Sequence, residues 1–178
     1  MSLGTKDTFY KERQLEHADS FFKEKLFPLI LVCDHIYFQS NIGSIFRICE
    51  AFGVEKIIFT GKNIVLTPRK INKTSRNTHL LVKYEIMESE KDTIDYLIKN
   101  KYDIICLEIT DKSLPINNLA ITGKPIALII GSEISGVSSG FLNISHQTYH
   151  IEMFGKNSSM NVVHAATIAL YEITRKLS

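Results

Sequence analysis

Two uninterrupted apolar runs, Leu29-Ile-Leu-Val-Cys33 and Ile126-Ala-Leu-Ile-Ile130, constrain this chain more than any other feature. A run of this kind has no polar face to turn to water, so it predicts a strand covered on both sides, as in a parallel sheet packed between helices. Each run breaks into a polar segment: residues 34–40 after the first, Gly131-Ser-Glu133-Ile-Ser-Gly136 after the second. Open α/β sheets build ligand sites at such strand ends.

Further strands are predicted at 56–60, 80–87, 103–109 and 148–151. Helices fall between them. One opens at Ser40 or Asn41 and stops at Gly53, with Ile42, Ile45, Phe46, Cys49 and Phe52 on its apolar face. Gly43 weakens its first turn, which suggests a close backbone approach there. A second helix starts at Thr67-Pro68, proline suiting the first helical position. A third opens with the capping-box spacing of Ser89 and Asp92, and a short one is expected near 139–145. The last carries Val162, Ala165, Ala166, Ala169, Leu170, Ile173 and Leu177 at helical spacing, with Arg175 and Lys176 at its cation-favouring end. Strands alternating with helices predict an α/β domain over 29–178, with a mostly parallel sheet flanked by helices. Leu15, Ala18, Phe22 and Leu26, ahead of Pro28, predict an N-terminal helical extension over 1–28.

At 178 residues, 44% of them hydrophobic, the chain suits one buried core. The net charge of +2 permits a nucleic-acid partner without requiring one. Cys33, Cys49 and Cys106 form no Cys-x-x-Cys and lie in apolar segments, as reduced core cysteines do in a cytoplasmic protein. Neither a signal peptide nor a membrane span is legible.

The Gly131–Gly136 loop lacks both the Walker Gly-Lys-Ser/Thr and the G-x-G-x-x-G fingerprint. Gly136-Val-Ser138-Ser-Gly140 fits G-x-S-x-G, but it begins beyond the strand end and no Asp follows it, which argues against a serine hydrolase. His146 and His150 flank a predicted strand without a third ligand nearby, so no metal site is expected. Taken singly, Asn41 is a candidate helix cap and Arg47 a surface arginine.

Their joint order carries more. Asn41-x-Gly43-x-x-x-Arg47, then Gly131-Ser-Glu133-x-x-Gly136, then Ile151-x-Met153-x-Gly155-x-x-x-Ser159-x-Asn161-Val162 closely resembles the three motifs of the SpoU (TrmH-like) branch of the SPOUT RNA methyltransferases. The resemblance spans about residues 29–175. It implies a homodimer with a C-terminal trefoil knot that holds S-adenosyl-L-methionine and methylates a ribose 2′-hydroxyl of tRNA, or less often rRNA. The catalytic set it implies is Asn41, Arg47, Glu133, Ser159 and Asn161. The cofactor would rest against Leu107, Ile109, Gly131, Ile151, Met153, Ser159, Met160 and Asn161. Departures from the family pattern are Glu152 for proline, Ile134-Ser135 for Glu-Gly, Met160 for leucine, Val163 for serine and Asn77 for glycine.

Arg69, Lys70, Lys73 and Arg76 make the densest positive stretch, four cations and no acid over 69–76. Beside an RNA-modifying site, these residues and Arg47 are candidate phosphate contacts. The competing reading is a non-catalytic RNA-binding or assembly protein of the same fold. The intact motif residues favour the enzyme. A dimer also suits apolar helix faces expected to be left over, Ile42–Phe52 and that of the last helix.

Overall fold

The computed structural model describes residues 23–156 and 159–178, together with Leu15 and Asp19. The expected N-terminal helix falls largely outside the described residues. Its closing proline sits inside the first strand, whose Phe27 amide donates to Gly53 O at 2.9 Å.

The elements run β1 (Phe27–Asp34), α1 (Gln39–Ala51), β2 (Val54–Thr60), α2 (Pro68–Ser75), β3 (Lys83–Met87), α3 (Glu90–Lys99), β4 (Asp103–Leu107), β5 (Leu114–Pro115), β6 (Ile126–Ile130), α4 (Ser139–Ile144), β7 (Gln147–His150) and α5 (Val162–Leu177). They build a seven-stranded sheet in the order β3-β2-β1-β6-β4-β7-β5. Every neighbouring pair is parallel. The two apolar runs that open the sequence argument lie side by side at its centre, Leu29 against Ile126 through Cys33 against Ile130.

Alternation along β1 shows why five consecutive apolar residues were needed. Leu29, Leu31 and Cys33 join the core under α1 and α5, while Ile30 and Val32 join the core under α3 and α4. Burying side chains of this size contributes roughly 1.5–3 kcal/mol each. All three cysteines are buried and unpaired, and burial pushes the Cys106 thiol up to about 12.

Gly43 has the close neighbour its position suggested. A Cβ there would lie 1.9 Å from Thr74 Oγ1 and 2.8 Å from Ile71 O, so α1 and α2 cross with almost no space between them. Ser89 caps α3 as expected, accepting from the Asp92 amide at 3.2 Å.

Three sequence expectations need correction. The strand expected from Leu80 begins only at Lys83, because Arg76 and Asn77 both take left-handed backbone (φ 50° and 70°) and a 3₁₀ turn, Thr78–Leu80, follows. Asn77 in place of glycine is thereby accounted for, since asparagine tolerates that conformation best among residues with a Cβ. The loop around Pro115 contains the edge strand β5, two residues long and too short for any periodicity to announce. Finally, α1 has no free apolar face to offer a partner: Ile42, Ile45, Phe46 and Cys49 are all buried in the chain's own core.

Candidate active site

Gly131 stands at the C-terminal end of β6, between β1 and β4, and the loop it opens is held by carboxylates from both neighbours. The amide of Val137 donates to Glu108 Oε2 at 3.0 Å, and that of Ser138 to Asp34 Oδ2 at 2.7 Å. The strand register explains this, because Cys33 and Leu107 both pair with Ile130, which leaves Asp34 and Glu108 level with the loop. Within the loop, the Gly136 amide donates to Ser132 O at 2.9 Å. Ser138 Oγ also donates to Glu90 Oε1 at 3.0 Å.

The second loop, after β7, arrives at the same place. Together they enclose a cavity of about 460 Å³. Leu107, Ile109, Gly131, Ile151, Met153, Ser159, Met160 and Asn161, the residues proposed from the sequence for a cofactor, all line it, and so does Glu133. Asn161 caps α5 by accepting from the Val163 amide at 2.9 Å. Its side-chain amide donates to Asn41 Oδ1 at 3.4 Å, and Asn41 Nδ2 donates in turn to Glu133 Oε1. One residue from each of three distant segments is thus joined in a single hydrogen-bonded chain.

Asn41 therefore does not cap α1. That helix begins two residues earlier, after Phe38, and makes no side-chain cap bond, so Asn41 lies in the first turn and reaches across to the loops. Arg47 is not brought to the cavity. It is exposed on α1, six residues beyond Asn41 and so about 9 Å further along the axis. Arg69, Lys70, Lys73 and Arg76 are exposed on and just after α2. Gln39 ties the segment leading into α2 to the start of α1, donating to Val65 O at 2.7 Å and accepting from the Thr67 amide at 3.0 Å. The histidines have separate partners. His146 Nδ1 accepts from the Ile104 amide at 3.0 Å, and His150 Nδ1 lies 2.9 Å from Ser113 Oγ.

Residues 28–171 match the SpoU rRNA Methylase family. The chain belongs to that family. Over 166 residues it is 31% identical to an uncharacterized tRNA/rRNA methyltransferase of Borreliella burgdorferi, covering 93% of this chain and 72% of the relative. Over 172 residues it is 27% identical to the tRNA (guanosine(18)-2′-O)-methyltransferase of Aquifex aeolicus, covering 93% of this chain and 77% of that one. The crystal structure of the A. aeolicus TrmH/SpoU tRNA modifying enzyme superposes with a TM-score of 0.76 at 25% identity, over 86% of this chain and 77% of that one.

Within this SpoU domain, sequence reasoning missed Asp34, Glu90 and Glu108. Asp34 is fully buried and Glu108 lines the cavity. A signal was available for two of them, since each is the first polar residue after a run of strand-forming apolar ones and so sits at the ligand-binding end of the sheet.

Proposed function

We propose that the protein transfers a methyl group from S-adenosyl-L-methionine to a ribose 2′-hydroxyl of tRNA, or of rRNA, in the cytoplasm and as a homodimer with a C-terminal trefoil knot. The observation that carries this reading is the meeting of the Gly131 loop, the loop after β7 and Asn41 of α1 around one cavity at the strand ends. Its volume lies within the usual range for small-molecule sites. Its walls suit the donor: Leu107, Ile130, Ile151 and Val162 are apolar, and Glu108 and Glu133 favour a cation. The trefoil knot is carried over from the SpoU family, whose match covers residues 28–171.

When bound, the donor supplies an electrophilic methyl on a sulfonium whose departure leaves a neutral thioether, so no general acid is needed. The protein must instead fix geometry and make the hydroxyl a better nucleophile. An arginine holds its proton too firmly to act as the base. Arg47 instead stabilises the developing alkoxide and grips an adjacent phosphate, the proton leaving through phosphate or water. Glu133 holds Asn41, and Asn161 fixes the start of α5 while facing the cavity. Ser159 contributes to the wall that receives the ribose.

A second copy reconciles the position of Arg47 with this role. Tyr171 and Ile168 leave apolar surface exposed on α5, and Tyr171 stacks edge-on with Phe52 at the end of α1, 6.5 Å between centroids. Arg47 precedes Phe52 by five residues in the chain, and a partner docked on that face is proposed to receive it in its own cavity.

The decisive experiment incubates the protein with labelled S-adenosyl-L-methionine and RNA from a strain lacking the gene, then maps 2′-O-methyl positions. Label at one ribose is expected. Label on a base, or calorimetry showing no affinity for S-adenosyl-L-methionine, overturns the reading, the latter in favour of a non-catalytic RNA-binding protein.

The exposed cations Arg69, Lys70, Lys73 and Arg76 are assigned to RNA phosphates. Replacing all four with alanine is expected to weaken RNA binding and to flatten the slope of log K against log salt by about 3. Filter binding from low to high salt measures this, and an unchanged slope would remove the assignment.

A further inference from the structure

Phe154 turns its ring outward beside the cavity and is 95% exposed, more than any other large apolar residue described. It borders a second hollow of about 430 Å³. Ile109, His150, Ile151 and Met153 line both hollows, so the two adjoin, and Lys156 lines the second. Ile109, which lines both hollows, is also exposed. A fully hydrated aromatic ring is unfavourable by the full apolar area it presents to water. At the mouth of a site for a ribose, such a ring is placed to meet something flat and apolar that arrives with the substrate.

We propose that Phe154 is a stacking platform for the base of the nucleotide being methylated, with Lys156 meeting the flanking phosphate. The inference rests on the ribose-methylation reading. For a 2′-hydroxyl to reach the first cavity, its nucleotide must leave the RNA stack, and the lost stacking has to be replaced. An aromatic side chain replaces it for any base, because every base has a π-face, and a neighbouring cation adds to the contact. Phenylalanine carries no hydrogen-bonding group, so the platform discriminates by stacking area and by unpaired context. Purines are favoured over pyrimidines, and loop nucleotides over helical ones.

The chain contains no tryptophan, so Phe154→Trp installs a single tryptophan at the platform, whose emission is read apart from that of the tyrosines by selective excitation. Titration with short oligoadenylate is expected to quench its emission, oligouridylate to quench it less, and S-adenosyl-L-methionine alone to leave it unchanged. Phe154→Ala should raise the KM for RNA about 5- to 150-fold with cofactor affinity unchanged, and Phe154→Tyr should restore it. Quenching by cofactor alone would place the ring on the cofactor, and a concentration-dependent shift without RNA would place it against a second copy. Either overturns the proposal, as does an unaltered KM in the alanine variant. A wild-type protein that methylates ribose while the alanine variant behaves identically sinks the platform alone. A wild-type protein that methylates nothing sinks the underlying reading, and the platform with it.

Discussion

Arg47→Ala is expected to lower methyl-transfer turnover about 100- to 1000-fold, the usual cost of removing one charge-stabilising donor from a transition state. The side chain is exposed, so the fold and the affinity for S-adenosyl-L-methionine should be preserved. Arg47→Lys keeps the charge without the planar fork and should recover only part of the rate. Single-turnover assays at saturating RNA separate this chemical defect from weaker substrate binding. Because Arg47 stands outside the cavity of its own chain, mixing makes a second test. Arg47→Ala protein refolded together with a variant whose cavity is destroyed should regain turnover, since in the proposed homodimer each mixed pair joins one intact cavity to one intact arginine. No recovery on mixing would show that the arginine acts within its own chain. Full turnover by the Arg47→Ala protein alone would end the assignment.

The parts of the fold that the sequence made legible are those fixed by local pattern. Buried parallel strands announce themselves because neither face can be polar, and Leu29–Cys33 and Ile126–Ile130 occupy the centre of the sheet. The apolar periodicity of α5 is used as written, with Ala166, Ala169, Leu170 and Ile173 all buried. What local pattern could not show was any partnership set by strand order. Asp34 and Glu108 are 74 positions apart in sequence (108 − 34) and reach one loop only because β1 and β4 flank β6. The same holds for Asn41, whose local reading as a helix cap gave way to a partner 92 residues away. The edges were hardest to read. β3 is exposed along most of its length and β5 is only two residues long, so neither carries the hydrophobic signature of a central strand.

Gly131→Ala is expected to abolish measurable binding of S-adenosyl-L-methionine and to lower stability as well. A Cβ at this position would lie 2.0 Å from the carbonyl carbon of Gly136 and 2.2 Å from the Val137 nitrogen. Both are backbone atoms, so no rotamer change relieves the clash, and the loop has little freedom to retreat. The Gly136 amide is bonded to Ser132 O at 2.9 Å, Val137 to Glu108 at 3.0 Å and Ser138 to the buried Asp34 at 2.7 Å. Moving the loop breaks charge-assisted hydrogen bonds and takes the Ser138 amide away from the buried Asp34 carboxylate, which keeps its contact with His35 Nδ1 at 2.5 Å. Holding the loop still leaves overpacking that costs about 1–3 kcal/mol. In a domain of this size each kcal/mol lowers Tm by about 2–4 °C. Calorimetric titration with the cofactor and a thermal melt read the two effects separately. A stable variant that binds the cofactor like the wild type would show that the Gly131 loop is not the wall against which the methyl donor rests. The site would then have to be sought elsewhere on the sheet.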